Sequence, residues 1–571
     1  MNREKRNCQN CKNEFVIEPE DFDFYKKIEV PPPTWCPECR MVRRMVWRNE
    51  RTLYKRVCER CGDGILSIYA PNTDVHIYCN PCWFADGWGG ADFGVDYDFS
   101  KPFFVQWIDL LKRVPLLSLW AIGHNVESQY CNYSGDNKNC YLSFSILYSE
   151  NVLYSHSVDK DTDCVDSSYL KNSDMCYENV DCYNNHNTAY LTRSHDCIDS
   201  IFLFDCVNCQ NCFMSSNLRN GSFVFRNEQL DAETYRKRIA EAGMGDFTKV
   251  TELRKEFEEM VKHRTFHKFA NIIKSQNVTG NNIENSKNVK EVFEAYELEN
   301  SSRGIRVFLA KEAVDVYGVT RSEIAYETIA PGFDSYKNLF SFLNNTCREI
   351  YYSTHCHNSS NLFGCIGLRN KSYCVFNKQY TKEEYEALVP KIVAQMNEKP
   401  YVDEWGRAYG YGEFFPPNLS PFMYNETVAQ EYFPLTKEEA LKSNFRWRDP
   451  DMKEYTPTMV PADIPDTIKD VRDDITKETI QCEHRGMCTH QCVTAFRVIP
   501  QELQFYRRMN LPLPRLCPNC RHHERLAQRT PPKLWHRKCM KEGCVNEFET
   551  SYAPERPEIV YCESCYQAEV V

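Results

Sequence analysis

The chain has 571 residues, 30 of them cysteine, and a formal net charge of −11. This length exceeds a single ordinary hydrophobic core, so several domains are expected. The opening MNREKRNCQNC has no apolar run behind its charges, and no stretch approaches the ~20 apolar residues of a membrane span, so neither a secretory signal nor membrane association is expected.

Many of the cysteines occur as CxxC pairs near the two ends of the chain. Two thiolates at this spacing can share one cation, which favours metal binding over disulfides. Reducing compartments keep thiols free, so we expect a cytoplasmic protein.

The two ends carry one module twice. Sliding the sequence by 481 positions aligns CPECRMVRRMVWRN, which begins at Cys36, with CPNCRHHERLAQRT, which begins at Cys517. After a two-residue insertion, the YAP of 69–71 meets the YAP of 552–554. Residues 1–90 and 481–571 are therefore predicted to be two copies of a double metal-binding module.

Each copy contains two sets of four cysteines, and each set is built from two thiolate pairs. The predicted ligands are Cys8, Cys11, Cys36, Cys39; Cys58, Cys61, Cys79, Cys82; Cys488, Cys492, Cys517, Cys520; and Cys539, Cys544, Cys562, Cys565. Four thiolates form a closed tetrahedral shell, which suits structural zinc and leaves no position for a catalytic water. We predict about four structural Zn²⁺ ions. His484, His490, His522 and His523 lie nearby, and with the sets complete they are predicted to be surface residues.

The first half of each module resembles a small family of zinc-ribbon domains. The family pattern is a CxxC pair, an aromatic and an aliphatic residue, an acidic residue before an aromatic pair, and then P…CPxCR with further arginine. In the first copy these positions are Cys8, Cys11, Phe15, Ile17, Asp21, Phe24, Tyr25, Pro33, Cys36, Pro37, Cys39, Arg40 and Arg44. The resemblance implies zinc binding and carries no assigned activity. The second copy departs from the pattern at Cys488, which lies four residues before Cys492 instead of three.

A short helix is expected after each CPxCR, because no glycine or proline follows for several residues. Its arginines recur at i, i+4 and i+8, which places them in one stripe. They are Arg40, Arg44 and Arg48 in the first copy and Arg521, Arg525 and Arg529 in the second. Two interpretations are open: the stripe contacts RNA or DNA phosphates, or it neutralises thiolates and nearby carboxylates.

The middle of the chain repeats every twelve residues. From Asn139 it reads NCYLSFSILYSE, NVLYSHSVDKDT, DCVDSSYLKNSD, and the rhythm returns around 339–375. Small and apolar residues at a fixed interval, with Asn, Asp and Ser between them, are typical of a parallel β-solenoid. Whether twelve residues make a whole coil or half of one is left open by the sequence.

Most cysteines of the middle region are predicted to be small buried hydrophobic residues inside this repeat. The group Cys206, Cys209 and Cys212 could form part of an iron–sulfur site but lacks an adjacent fourth cysteine. His355, Cys356 and His357 could bind metal, but side chains in a strand alternate between faces. Neither group is favoured as a site.

The two repeat segments end alike, each running into a helix that Asp231 or Thr381 can cap. The predicted organisation is a double zinc ribbon (1–90), a connecting segment (91–125), a solenoid segment (126–229), a helical insertion (230–268), a second solenoid segment (269–379), a helix (380–400), an aromatic and proline-rich arm (401–455), a linker (456–480) and a second double ribbon (481–571). The arm is expected to lie across a neighbouring domain, with an aromatic partner-binding groove as the alternative.

Sequence motifs for phosphate loops, nucleophile elbows or HExxH metalloproteases do not stand out. The acids Asp159, Asp161, Asp163 and Asp166 could serve polysaccharide chemistry on a β-helix, although a solvated edge is the commoner arrangement. Residues 338–451 resemble a group of large Cys-rich proteins of reduced-genome bacteria, on runs such as FGCIGLRNKSYCVFNKQYTKEEYEALVPKI and SPFMYNETVAQEYFPLTKEEAL. That resemblance implies a bacterial protein and supplies no mechanism.

The predicted fold is mainly β and multidomain, with two terminal double zinc ribbons flanking a duplicated parallel β-solenoid with helical insertions. The predicted function is a non-catalytic zinc-binding scaffold or adaptor whose arginine-rich ribbons bind nucleic acid. The alternatives are a purely protein-binding scaffold, acting through the solenoid or the arm, and a β-helix enzyme acting on a polysaccharide. The oligomeric state is left open.

Overall fold

The computed structural model describes residues 2–329, 334–449 and 456–570, and it divides the chain into two compact units. Unit 1 contains Met1–Trp120, Ala270–Asp449 and Pro532–Leu534. Unit 2 contains Ala121–Phe269, Pro450–Pro531 and Trp535–Val571. The amino-terminal module therefore shares a unit with the second repeat segment, and most of the carboxy-terminal module shares one with the first. The fold is β-rich and multidomain, with cysteine clusters towards both ends.

The repeat segment of unit 2, here called the first ladder, is built from two sheets of mostly parallel strands. The strands of one sheet are Ala121–Ile122, Asn132–Gly135, Phe144–Leu147, His156–Asp159, Ser168–Lys171 and Val180–Tyr183. Those of the other are Asp174–Tyr177, His186–Ala189, Ile198–Phe204, Gln210–Ser216, Ser222–Phe225 and Glu228–Gln229, the last of which is antiparallel.

Strand pairing in the first ladder follows the twelve-residue period of the sequence. Phe144 pairs with His156, and His156 pairs with Ser168. Every third residue from Tyr133 to Arg226 has a φ between 45° and 60°. Many of these are Asn or Asp, the residues that adopt left-handed backbone at least cost after glycine. Twelve residues therefore advance the chain by one strand, with a left-handed residue at every third position.

The interior of the first ladder holds stacks of small side chains. One stack links residues twelve apart, because each side chain accepts a hydrogen bond from the backbone N–H of the next. Its members are Asn137, Ser149, Asp161, Ser173, Asn185 and, as the final donor, Cys197. Beside it lies an apolar core of cysteine, valine, leucine and isoleucine that includes Cys164 and Cys176. Side chains of similar size at equal intervals thus complete the hydrogen bonds of the polar stack and fill the apolar core beside it.

The repeat segment of unit 1, here called the second ladder, is one ten-stranded sheet. Its strands are Ile272–Ile273, Gln276–Glu284, Lys287–Ser302, Ile305–Val314, Tyr317–Tyr326, Ser335–Leu339, Arg348–Tyr351, Ser360–Phe363, Ser372–Val375 and Lys378–Gln379, the last antiparallel. Most neighbouring strands again pair residues twelve apart, as Arg348 does with Ser360. The offset is eleven at Ile272 and Ile283 and thirteen at Ser322 and Ser335.

The two terminal modules contain matching hairpins and short helices. In the first module the elements are the strands Glu4–Asn7, Glu14–Ile17, Tyr54–Val57, Gly64–Ser67 and Ile77–Tyr78 and the helices Pro19–Lys27, Pro37–Met45 and Asn80–Phe84. In the second they are the strands Ile480–Gln481, Ala495–Phe496, Trp535–Lys538, Glu547–Thr550 and Ile559–Tyr561 and the helices Pro500–Arg508, Pro518–Ala527 and Glu563–Val570. Pro37–Met45 and Pro518–Ala527 are here called the first and second Arg helices.

Longer helices lie beside the ladders: Phe103–Arg113 and Lys382–Glu398 in unit 1, and Ala232–Ala242 and Phe247–His263 in unit 2. Asp231 caps Ala232–Ala242 by accepting from the N–H groups of Glu233 and Thr234. Thr381 caps Lys382–Glu398 by accepting from the N–H of Glu384. Asp and Thr are among the residues preferred at helix N-caps, so both caps were expected.

The arm packs within unit 1. It forms the strands Tyr401–Val402 and Ala408–Tyr409 and the helices Val428–Tyr432 and Lys437–Lys442, and Phe414 and Phe415 are fully buried. The Phe415 ring lies 4.5 Å from that of Trp107, between centroids. Its last residues, 450–455, lie outside the described ranges.

The prediction of a linker at 456–480 was wrong for its described structure. This segment forms the short 3₁₀ turns Pro461–Asp463, Ile468–Asp470 and Asp473–Lys477, and it buries Ile464, Ile468, Val471 and Ile475 in the core of unit 2. Thr467 also forms a β-bridge with Asp246. The prolines and charges that suggested a linker stand between apolar residues that reach the core, so the segment is held in place.

Candidate metal centres

The first module brings its eight predicted ligands together as two clusters of four thiols, Cys8, Cys11, Cys36, Cys39 and Cys58, Cys61, Cys79, Cys82. In each cluster all sulfurs lie within 4.8 Å of one another. Sγ of Cys11 is 3.8 Å from Sγ of Cys36, and Sγ of Cys61 is 3.9 Å from Sγ of Cys79. A tetrahedral ion with metal–sulfur bonds of about 2.3 Å places its sulfurs about 3.8 Å apart, so both clusters have the dimensions of a structural zinc site.

The fourth cluster, in the second module, consists of Cys539, Cys544, Cys562 and Cys565, as predicted by spacing. Its widened first pair does not disturb the arrangement, because Sγ of Cys544 still lies 3.9 Å from Sγ of Cys562. The extra residues between Cys539 and Cys544 project as part of an exposed turn that includes Gly543 at φ 78°.

The third cluster corrects one predicted ligand. It consists of Cys482, Cys492, Cys517 and Cys520, whereas the cysteine spacing predicted Cys488 in the place of Cys482. Sγ of Cys482 lies 3.9 Å from Sγ of Cys520, and Sγ of Cys492 lies 3.9 Å from Sγ of Cys517. Cys488 belongs instead to a neighbouring group with His484, His490 and Cys520, here called the His–Cys cluster. His484 and His490, predicted to be surface residues, are thus ligand candidates.

Backbone geometry identifies Cys482 as the counterpart of Cys8. Each follows a short strand by one residue, and the residue two before it pairs with an aromatic, Arg6 with Phe15 and Ile480 with Phe496. The N–H of Cys36 donates to Sγ of Cys8 at 3.2 Å, and the N–H of Cys517 donates to Sγ of Cys482 at the same distance. Nine residues separate Cys482 from Cys492, but only two separate Cys8 from Cys11. This insertion hid the equivalence from spacing alone.

The same backbone contact recurs in all four clusters: the third cysteine donates its N–H to the sulfur of the first. In the second and fourth clusters these donors are Cys79 and Cys562, at 3.3 Å from Cys58 and Cys539. Cys36, Cys79 and Cys517 are also helix N-caps. Backbone donors and the positive end of a helix both stabilise thiolates, the form that binds metal.

Hydrogen bonds lower the pKa of at least one thiol in every cluster, including Cys58 and Cys562, each to about 6 against the raising effect of burial. The pKa of Cys8 is lowered because the side chains of Cys36 and Cys39 hydrogen-bond to it. The pKa of Cys492 is lowered by side-chain hydrogen bonds with Cys482, Cys517 and Cys520. A lowered thiol pKa favours the thiolate, which is the form that binds metal.

The arginines of the first Arg helix point into unit 1 and are buried. Nε of Arg40 donates to Asp315 at 2.9 Å, and Arg44 has its nearest carboxylate at 4.0 Å, also on Asp315. Between them Arg43, which the predicted stripe did not include, donates to both oxygens of Glu327 at 2.6 and 2.8 Å. The Arg48 guanidinium donates from Nε to Glu50 at 2.6 Å.

The second Arg helix repeats this arrangement in unit 2. Arg521 and Arg525 both donate to the carboxylate of Asp166, the latter at 2.8 Å. Arg529 donates to Asp181 at 2.9 Å and stacks on the ring of Tyr169. The six predicted stripe arginines have side chains no more than 7% exposed. Their ion-pair partners are carboxylates of the ladders and of their own modules, the latter being Glu50 for Arg48 and Glu502, beside Asp166, for Arg521.

One position carries opposite charges in the two copies of the module. Glu524 occupies the place that Arg43 has in the first module, 481 residues earlier. Glu178 lies twelve residues after Asp166, as Glu327 lies twelve after Asp315. Arg254 stands between the two acids of unit 2, 3.0 Å from Glu178 and 3.5 Å from Glu524. A cation therefore neutralises the second ladder carboxylate in both units, supplied by the module in one and by the helix Phe247–His263 in the other.

The cysteines of the ladders are buried in the apolar interior, and their thiols donate to backbone carbonyls, as Cys347 does to Asn345 O at 3.4 Å. Burial raises the pKa of Cys131 and of Cys347 to about 12. Within the described ranges, no ladder cysteine belongs to a group of three or more metal-ligating side chains.

Neither alternative metal group of the middle region forms a set of mutually close ligand atoms within the described ranges, although the side chain of Cys209 contacts those of Cys197, Cys206 and Cys212. Cys206, Cys209 and Cys212 are core residues of the first ladder. His355 and His357 pack on the ring of Trp120, while Cys356 enters the core. Burial lowers the pKa of His355 to about 3 and that of His357 to about 4.

The four acids of the first ladder serve separate partners. Asp161 is part of the internal side-chain stack, and Asp166 binds the second Arg helix. Asp163 accepts from Asn151 and from Arg508, at 2.8 and 2.9 Å. Burial raises the pKa of Asp159. The expectation of a solvated edge was wrong for Asp161 and Asp166, which are fully buried.

None of the helices in the described ranges combines the length and apolarity that crossing a membrane requires. Comparison of the chain with protein-family models and with curated proteins found no match. The four-thiol clusters have a geometry compatible with zinc-binding modules, and they are the clearest candidate sites in the described ranges.

Proposed function

We propose that this protein is a non-catalytic scaffold or adaptor in which structural zinc ions hold two modules against two rigid β-solenoids. The observation that carries the proposal is that each Arg helix begins at a cluster cysteine and buries its arginines against ladder carboxylates. Cys36 caps the helix that carries Arg40, and Cys517 caps the helix that carries Arg521. An ion at the cluster would fix the helix start, and the helix would fix the ladder contact.

Zinc is the ion that suits these clusters. All four consist of thiolates alone, and such sites in proteins hold Zn²⁺ or iron. Every ligand position of a tetrahedral ion would be filled by the chain, so no site for substrate or water is left at the metal. The proposed ions therefore contribute folding free energy and take no part in a reaction.

The solenoid part of the proposal rests on the strand registers. Partners twelve residues apart, with a left-handed residue at every third position, fit a coil of twelve residues with four three-residue sides. Such coils present a stiff outer surface, because each strand is hydrogen-bonded to its neighbours. A stiff surface suits binding, since little conformational entropy is lost when a partner docks.

A protein partner is favoured over nucleic acid by the burial of the Arg helices. Contacts with phosphate need exposed cations, and Arg40, Arg44, Arg521 and Arg525 are at most 3% exposed. The outer surface of the first ladder segment carries exposed apolar side chains instead. They are Val126 (53%), Tyr130 (43%), Tyr148 (51%) and Ile198 (41%). Aromatic side chains on a rigid surface are typical of protein interfaces.

Affinity capture from native lysate, with and without nuclease, tests the proposal. We expect the same protein partners in both arms, and their loss from the double variant Tyr130→Ser, Tyr148→Ser. Tyr336→Ser, at a position 38% exposed on the second ladder, is the matched control and should retain them. Recovery of RNA or DNA that persists in the double variant, with an affinity that falls steeply as salt rises, would instead support the nucleic-acid function.

A further inference from the structure

Cys520 belongs to two groups of candidate ligands at once. It completes the third cluster with Cys482, Cys492 and Cys517, and it completes the His–Cys cluster with His484, Cys488 and His490. Its Sγ lies 3.9 Å from Sγ of Cys482 and 3.7 Å from Sγ of Cys488. Both distances match the ~3.8 Å edge of a metal tetrahedron built with sulfur ligands.

The extra ligands all come from the insertion that distinguishes the second module from the first. In the described part of the first module, the corresponding cluster has no second group beside it. The insertion turns back on itself, because Arg485 and Gly486 have positive φ and the N–H of Arg485 donates to Cys482 O at 2.9 Å. Asn519 then fixes the end of the loop by donating to Gln491 O at 2.9 Å. The loop is thereby held with its His and Cys side chains over Cys520.

The two histidines of the loop present buried ring nitrogens. Nδ1 of His484 and Nδ1 of His490 have no hydrogen-bond partner within the described ranges, although both atoms are buried. A buried polar atom without a partner costs about 1–3 kcal/mol. The rings of His484 and His490 lie 5.4 Å apart, between centroids. A metal ion bound by ring nitrogens would supply the missing interaction and explain why both rings turn inward.

We propose that the second module binds two divalent metal ions that share the thiolate of Cys520. One ion is held by Cys482, Cys492, Cys517 and Cys520, and the other by His484, Cys488, His490 and Cys520. Each set offers four ligand atoms within 4.8 Å of one another, drawn from sulfur and imidazole, and such a set selects Zn²⁺ or a similar borderline ion.

Charge favours the shared arrangement. One divalent ion with four thiolates has a net charge of about −2, whereas two ions with five thiolates have about −1, since imidazole is neutral when it binds metal. The Cys520 sulfur has a second lone pair available for the added ion. The second ion thus reduces the charge that the partly buried site must carry.

Metal counting on the full chain tests the proposal. After removal of metal and reconstitution with Zn²⁺, we expect five ions per chain, and four in the variants Cys488→Ser and His484→Ala, His490→Ala. His536→Ala, at an exposed histidine outside the clusters, is the control and should retain five. A loop variant that replaces residues 483–491 by the Gln-Asn of the first module should fold and bind four.

Cadmium-113 NMR of the Cd²⁺-substituted protein adds a direct test of sharing. Two resonances should show mutual coupling through the Cys520 sulfur, and the coupling should vanish in the loop variant. The inference rests on zinc in the four-thiol clusters, and its failure is distinguishable from failure of that proposal. Four ions in the natural chain, unchanged by Cys488→Ser, would overturn the shared site and support the structural zincs, whereas a chain without metal would overturn both.

Discussion

Nη2 of Arg43 donates to both carboxylate oxygens of Glu327, at 2.6 and 2.8 Å, and both side chains are completely buried. The other edge of the Arg43 guanidinium reaches Glu413 at 2.5 Å. Its pKa is raised, because these two carboxylates outweigh the opposing effect of burial. The pair joins the first Arg helix to the second ladder and to the arm at a single side chain.

Removal of one partner of this pair should destabilise unit 1 strongly. Breaking a buried ion pair leaves an uncompensated charge and costs about 3–5 kcal/mol. We expect Glu327→Gln to lower the free energy of unfolding by that amount and to increase hydrogen exchange in Pro37–Met45.

Lys311→Ala is the matched control, because Lys311 pairs with Glu299 on the surface of the same ladder, with side chains 61% and 44% exposed. Exposed pairs contribute less than about 1 kcal/mol. Equal effects of the two substitutions on exchange in the Arg helix would contradict the structural role of Glu327.

In unit 2 it should be possible to move the cation that faces Glu178 from Arg254 to position 524, the position equivalent to Arg43. Glu524→Arg alone places a second cation beside Arg254, so we expect a loss on the order of 2 kcal/mol in stability. Combined with Arg254→Met, the new arginine should reach Glu178 as Arg43 reaches Glu327, and much of the loss should be recovered.

Thermal unfolding of the single and double variants measures this coupling. Glu252→Arg, at an exposed position of the helix Phe247–His263, controls for the added charge and should have little effect. Additive losses in the double variant would show that the two units do not use equivalent positions.

Metal content should separate the cysteines of the clusters from those of the ladders. We expect Cys482→Ser to lower the metal content of the chain and to destabilise unit 2, because a structural ion contributes folding free energy directly. Cys164→Ala, in the first ladder, should keep its metal and lose only the packing of one buried sulfur. Elemental analysis of the purified variants gives the result. Metal loss from Cys164→Ala, with none from Cys482→Ser, would reverse the assignment.

The stability of unit 1 should fall as pH rises from 6 to 8, through Glu431. Burial raises its pKa to about 7, against the lowering effect of Arg51. A carboxyl with a raised pKa binds its proton more tightly in the folded state, so its contribution to stability is complete below the unfolded pKa and is lost as pH rises through the folded value. For this shift the loss between pH 6 and 8 is about 1 kcal/mol.

Glu431→Gln should remove this part of the pH dependence, whereas Glu438→Gln, at an exposed position, should not. Denaturant unfolding at the two pH values provides the measurement, and both lie where thiolate clusters retain zinc. An unchanged slope in Glu431→Gln would assign the pH dependence to another group.

The sequence was sufficient to predict the duplicated modules and most of their ligands, because thiolate spacing is a local property. Cys482 was missed because nine residues separate it from its partner Cys492, and this insertion contains another cysteine, Cys488. The twelve-residue sequence period equals the register of most strand pairs, since side chains stack on their own repeats. Which strands lie side by side became clear only with the pairing itself.

Spacing alone could not predict whether the arginines of the stripes are exposed or buried against carboxylates. Arg40 and Asp315 are 275 residues apart, and Arg525 and Asp166 are 359 apart. A helical stripe of arginine looks the same whether it faces solvent or a buried carboxylate. The acids that decide the matter stand at left-handed positions of the ladders, as Asp166 and Asp315 do, among many similar residues that face solvent.

Because these partners are far apart along the chain, they are also synthesised at different times. Arg521 follows Asp166 by 355 residues, and Glu413 follows Arg43 by 370. At roughly 5–20 residues per second, a ribosome needs about 20–70 s to supply the later partner. During that interval the first ladder emerges with its acidic face uncovered, and the first module emerges with its arginines uncovered. Until the later residues are made, Asp166 lacks its partner Arg521 and Arg43 lacks its partner Glu413.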